Sequence, residues 1–160
     1  MKVTGTWHGE YTYGPEYGAV TGKSVPFVLS LTESWWRRFA GYVRDDAARG
    51  GQPERGRVAG KRRGAAIQFV KTMPVGYVTN DQGKLSETTN AWLQRTFGGE
   101  QRGTSPLRIH YSGNLSVDGQ SAAGQWLIKR RIVSQGGQLV RLGGEGTWTA
   151  RRISDLPTAV

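Results

Sequence analysis

Residues 5–13 read Gly5-Thr6-Trp7-His8-Gly9-Glu10-Tyr11-Thr12-Tyr13. Trp7, Gly9, Tyr11 and Tyr13 fall on one phase; Thr6, His8, Glu10 and Thr12 fall on the other. A period of two belongs to an extended strand, whose successive side chains point to opposite faces. One face here is aromatic or bare and the other polar. That is the pattern of an antiparallel sheet with one dry side and one wet side.

The same alternation returns along the chain. It predicts eight strands, at about residues 6–13, 25–33, 38–45, 56–61, 65–72, 107–116, 121–133 and 138–151. The dry phase runs through Val25, Phe27, Leu29 and Leu31 in the second strand and Phe39, Gly41 and Val43 in the third. It continues through Ile67 and Phe69, then Leu107, Ile109, Tyr111 and Leu115, with Gly113 as a bend. Ala122, Gly124, Trp126 and Ile128 follow, and then Val140, Leu142, Gly144, Gly146, Trp148 and Ala150. The connections are short and hairpin-like at Trp35–Arg38, Arg62–Gly64, Asp118–Gln120 and Ser134–Gln138, the last holding two glycines that suit a tight turn. The stretch 73–106 breaks the pattern. A connection of that length predicts an inserted loop, hairpin or short helix, the helix capped by Ser86 and running to Phe97. Residues 1–152 are expected to form one domain, followed by a tail at 153–160.

The 24 glycines are about twice the usual share and show no collagen-like period, so they read as turns, bulges and close approaches. With no Cys, disulfides and thiolate metal sites are excluded. No apolar run approaches the roughly 20 residues of a spanning helix, and no signal-like segment opens the chain, so a cytoplasmic location is expected. The net charge of +10 raises the expectation of an anionic ligand or a polyanion.

Gly5 and Trp7 at the head of a first strand, in an eight-stranded meander, resemble the calycins: lipocalins, avidins and fatty-acid-binding proteins. The resemblance implies an all-β, antiparallel up-and-down barrel. It also implies that Trp7 packs at the closed floor with a basic side chain from the last strand, Arg151 or Arg152, over it. The late Thr-Asp-Tyr-type turn of lipocalins is missing, and the 73–106 insertion is unusual, so no one subfamily is indicated. Closure removes sheet edges, and eight strands leave an interior that side chains or one small ligand can fill.

In a meander alternate connections share an end. Connections 14–24, 46–55 and 73–106 are the longest and lie together, which marks the mouth. The inward sets of four strands end there in Tyr13, Asp45, Lys71 and Arg130, above Tyr11, Tyr111 and Trp126. Apolar walls with a few polar anchors suit a small-molecule ligand, and Lys71 and Arg130 favour an anionic one. The plainer reading is that Asp45 pairs with Lys71 at the rim. At the opposite end, Trp35, Trp36, Arg37, Arg38, Lys61, Arg62 and Arg63 gather cations around aromatics. That composition suits nucleic acid, another polyanion, an acidic partner or an anionic membrane surface, and also a solvated surface around a packed floor. His8 and His110 sit on the outward phase, so no catalytic residue, cofactor or metal ligand set is assigned. A small cavity enzyme of cyclase or isomerase type ranks third.

Overall fold

The computed structural model describes residues 1–74, 77–79, 85–87, 106–135 and 138–160, the side chains of 77–79, 85–87 and 130–142 excepted. Eight of its strands close into one antiparallel barrel: β1 (Gly5–Tyr13), β2 (Ser24–Glu33), β3 (Arg38–Asp45), β4 (Gly56–Arg63), β5 (Ala66–Met73), β8 (Leu107–Leu115), β9 (Ser121–Gln135) and β10 (Gln138–Ser154). Each pairs with its neighbour in sequence, β5 with β8, and β10 with β1 closes the ring. The remaining strands, β6 (Tyr77–Thr79) and β7 (Leu85–Glu87), form a separate two-stranded ladder within the insertion. Ser86 therefore lies in an extended strand and not at a helix cap, while 88–97 lie outside the described residues. The turn glycines 136 and 137 also lie outside them.

The dry phase of every strand points into the barrel. Trp7, Tyr11, Phe27, Phe39, Phe69, Tyr111, Trp126 and Trp148 are all buried in one continuous core. So many rings fit because inward glycines face them across the ladder. Gly9 pairs with Phe27, and a Cβ at Gly9 would sit 2.5 Å from that ring. Gly60 is held in the same way between Phe39 and Phe69, and Gly113 makes room for Trp148. The ladder runs unbroken through Gly113, which pairs with Ile67 and Gly124, so its role is space and not a bend. Much of the glycine excess is thus the negative image of the aromatic core.

At the floor, Trp7 is 2% exposed and its indole Nε1 donates to the Val3 carbonyl at 2.9 Å. The Arg152 guanidinium lies 4.9 Å from the centre of the Trp7 ring, within cation–π range. Arg152 also donates to the carbonyls of Lys2 and Gly119 and to Asp155, tying together the first residues, the β8–β9 turn and the end of β10. Arg151, the alternative, points outward and is exposed. β10 continues to Ser154, beyond the predicted 151. The chain after it crosses Thr6, which donates to the Leu156 carbonyl at 2.8 Å and accepts from the Thr158 amide at 3.0 Å.

Candidate functional site

Period-two geometry brings Tyr11 and Tyr13 from β1, Asp45 from the end of β3 and Lys71 from β5 to the mouth half of the barrel. Tyr111 of β8 and Trp126 of β9 complete the ring. Lys71 Nζ lies 2.6 Å from both oxygens of Asp45, and the two side chains are 3% and 0% exposed. The pair is therefore buried in the barrel and not at a wet rim. Lys71 Nζ also lies 5.1 Å from the centre of the Tyr11 ring. Its charge is answered on one side by a carboxylate and on the other by an aromatic face.

Two segments seal this end. After β3, Asp46 accepts from the Ala48 amide at 3.1 Å and its own amide donates to Pro26 O at 2.9 Å, which folds 46–52 back onto the strand. Gly51 lies against Asp45, where a Cβ would come within 2.5 Å of the Asp45 Cβ. The next residue, Gln52, is buried, and among the described residues nothing hydrogen-bonds its Oε1. After β1, a 3-10 turn over Pro15–Val20 carries Tyr17 across the opening. Its ring is 4.8 Å from that of Tyr13 and 5.8 Å from that of Trp126, and it rests on Gly144, where any Cβ would collide with it. Alternation does not point to Tyr17, because it belongs to a connection without period. The signal was indirect: Gly144 sits bare on an apolar phase.

The tyrosines respond to this enclosure. Burial, and then the Asp45 charge, hold the hydroxyls of Tyr11 and Tyr111 well above the ordinary tyrosine range. The neighbouring Tyr13 hydroxyl raises Tyr11 a little further. Burial likewise raises Tyr17. All three are neutral donors at physiological pH, grouped around one internally balanced pair of charges. The side chain of Arg130 lies outside the described residues, though its backbone is part of β9.

Two open grooves, of about 840 and 850 Å³, cross the strands, the first lined in part by Tyr13, Tyr111 and Trp126. Most strands contribute three consecutive residues to them, such as Gln68–Val70, His110–Ser112 and Gln125–Leu127 to the first. A groove that touches three residues in a row meets the strand from one side, and the outward members are the accessible ones. Both grooves therefore run along the outer wall, and neither reaches Asp45 or Lys71. Among the described residues, no group of three His, Asp or Glu could hold a metal ion.

The other sequence-chosen cluster divides. Trp35, Trp36, Arg37, Arg38, Lys61 and Arg63 are exposed at neighbouring hairpin tips, which the Arg62 amide joins by donating to the Arg37 carbonyl at 2.8 Å. Arg62 itself leaves the patch. Its side chain turns to Glu33, with NH2 2.9 Å from Oε1, and Glu33 also accepts from the Val3 amide at 2.6 Å. The inward phase of β4 runs Gly56, Val58, Gly60 and Arg62, so Arg62 is a core-facing residue closing the floor.

The molecule is thus a closed eight-stranded up-and-down barrel with an aromatic interior and a charged pair sealed beneath its mouth. No protein-family model, curated protein or solved structure matches the chain.

Proposed function

We propose that the protein is a calycin-like barrel that binds a small molecule at its mouth, which opens by movement of Tyr17. The ligand sits among Tyr11, Tyr13, Tyr17 and Trp126 and is anchored by Asp45 and Lys71. The Trp7–Arg152 stack supports the calycin-like assignment, since the resemblance places a basic side chain of the last strand over that Trp. The observation that carries the binding reading is the buried Asp45–Lys71 pair. Two charges taken out of water lose hydration that their mutual attraction repays only in part, and well-packed apolar replacements are often as stable or more so. Stability is thus a weak reason to keep such a pair in the core, and polar groups converging under apolar walls are the usual form of a small-molecule site.

The balance of charge narrows the ligand. With Lys71 answered by Asp45, the preference for an anion rests on Arg130 alone. The matching ligand is largely apolar, carries no net charge, and offers a donor and an acceptor to the pair. The Gln52 Oε1, without a hydrogen-bond partner among the described residues and one residue beyond the Gly51–Asp45 contact, is a further acceptor for it. Tyr17 is the gate, carried between Gly14 and Gly18, the latter at φ 56°.

Native mass spectrometry of the purified protein, followed by a screen of apolar neutral compounds for quenching of indole fluorescence, tests this. Wild type is expected to carry or take up one molecule, and Asp45→Leu/Lys71→Met to lose it while staying folded. Failure of wild type to bind any compound, or undiminished binding by the double variant, would overturn it.

A further inference from the structure

The closed end has a surface that the mouth does not use. Trp35 and Trp36 are 84% and 72% exposed at the β2–β3 tip, their rings 4.7 Å apart. Two adjacent tryptophans in water are unusual for a chain that buries its other three described indoles, Trp126 and Trp148 where glycines make room for them. They are not alone. Val117 is 99% exposed at the β8–β9 tip, and Ile153 and Leu156 are 54% and 73% exposed beside the end of β10. In strand order these positions are spread round the rim of one end, at the β2–β3 tip, the β8–β9 tip and the end of β10. The exposed side chains of Lys2, Arg37, Arg38, Lys61, Arg63 and Arg151 lie between them. Among the described residues, exposed carboxylates at this end include Asp118, hydrogen-bonded to Ser116, and Asp155, paired with Arg152. The turn is not built for stability either: Arg37 holds φ 58°, a conformation that favours glycine, asparagine or aspartate.

We propose that the closed end docks on an anionic phospholipid bilayer, with Trp35 and Trp36 entering the headgroup region and the surrounding cations meeting lipid phosphates. Tryptophan is the side chain most at home at that depth, where its ring is half in hydrocarbon and its N–H meets polar groups. Basic side chains near an anionic leaflet add attraction that salt weakens. A bilayer is favoured over a single-stranded nucleic acid by the aliphatic tips. Val117, Ile153 and Leu156 offer nothing to phosphates or bases, whereas a flat apolar boundary accepts all of them. The two indoles also lean on each other at 57° and not as parallel platforms between which a base would stack. The docked barrel keeps its mouth facing away from the membrane.

The test is co-sedimentation of the full chain with vesicles of phosphatidylcholine alone and of phosphatidylcholine mixed with phosphatidylglycerol, with indole quenching by brominated lipid as depth readout. Binding is expected to the mixed vesicles only, to weaken with salt, and to be quenched. Trp35→Ser/Trp36→Ser should lower affinity at least about tenfold and abolish the quenching. Arg37→Ser and Arg63→Ser should each weaken binding about fivefold. Val117→Asp, at a separate tip, gives an independent arm and should also weaken it. Absence of binding to mixed vesicles at low salt, or binding indifferent to the two tryptophans, overturns the proposal. So does oligonucleotide binding through the same residues without vesicle binding, which would assign the patch to nucleic acid.

Discussion

Each end of this barrel buries an ion pair, and the two are built differently. At the floor, Glu33 is saturated: it takes the Arg62 guanidinium and the Val3 amide, while Arg62 also donates to the Gly64 carbonyl at 2.8 Å. Arginine's planar fork spends its donors in fixed directions, and the result ties the chain start, β2 and β4 into one floor. At the mouth, Asp45 meets a lysine, whose ammonium is a compact charge on a flexible stem. Neutral tyrosine hydroxyls surround it. The first pair is a clasp with its valences filled. The second is a pair of charges held in an aromatic chamber, with donors and acceptors near it that a bound molecule can use. Interior chemistry at one end and surface chemistry at the other thus divide the molecule.

Breaking one partner should produce the largest effects. Glu33→Ala strands a guanidinium and an amide, and Lys71→Met strands Asp45. Each is expected to cost about 3–5 kcal/mol in a denaturant melt, the usual penalty for an uncompensated buried charge. Trp7→Ala falls in the same range, about 3–5 kcal/mol, as a large ring removed from a packed floor; a cost below about 1 kcal/mol would show that the floor does not depend on it.

Next comes alkaline pH. Because Tyr11 and Tyr111 titrate well above their ordinary value in the folded chain, they keep their protons where the unfolded chain loses them. Their contribution to stability is complete below about pH 10, the unfolded value, and falls as pH rises beyond it. Each should add a slope of about 1.4 kcal/mol per pH unit there. Following tyrosinate absorbance with unfolding checks this: the late-titrating tyrosines should ionise together with loss of structure. Gly9→Ala should come next, at about 1–3 kcal/mol, since its Cβ would meet the Phe27 ring. The smallest effect belongs to the outer surface of the floor. Trp35→Ala and Trp36→Ala should leave stability within about 0.5 kcal/mol, because both side chains are largely exposed.

The sequence carried the barrel in its phase. One dry face per strand is enough to predict eight strands whose limits fall close to those observed, and their inward ends name Tyr13, Asp45 and Lys71. What phase does not carry is partnership. Asp45 and Lys71 belong to strands that are not neighbours, and they meet because a lysine stem is long enough to reach across β4. A fourth strand ended at 61 leaves Arg62 on the surface; two more residues of the same alternation place it inside with Glu33. Tyr17 lies in a turn, where no period exists to read. The hairpin connection at Trp35–Arg38 is legible too, but whether it packs a tryptophan under the floor or lifts both into water is not, and the structure exposes both.

The account stands on the claim that the mouth pair is kept for binding and the floor pair for stability. The most direct measurement is the equilibrium stability of Asp45→Leu/Lys71→Met beside that of Glu33→Leu/Arg62→Met. The mouth double variant is expected to match or exceed wild type, by up to about 4 kcal/mol, while the floor double variant loses about 1–3 kcal/mol because the Val3 amide is left buried without an acceptor. A mouth double variant less stable than its floor counterpart would contradict the account.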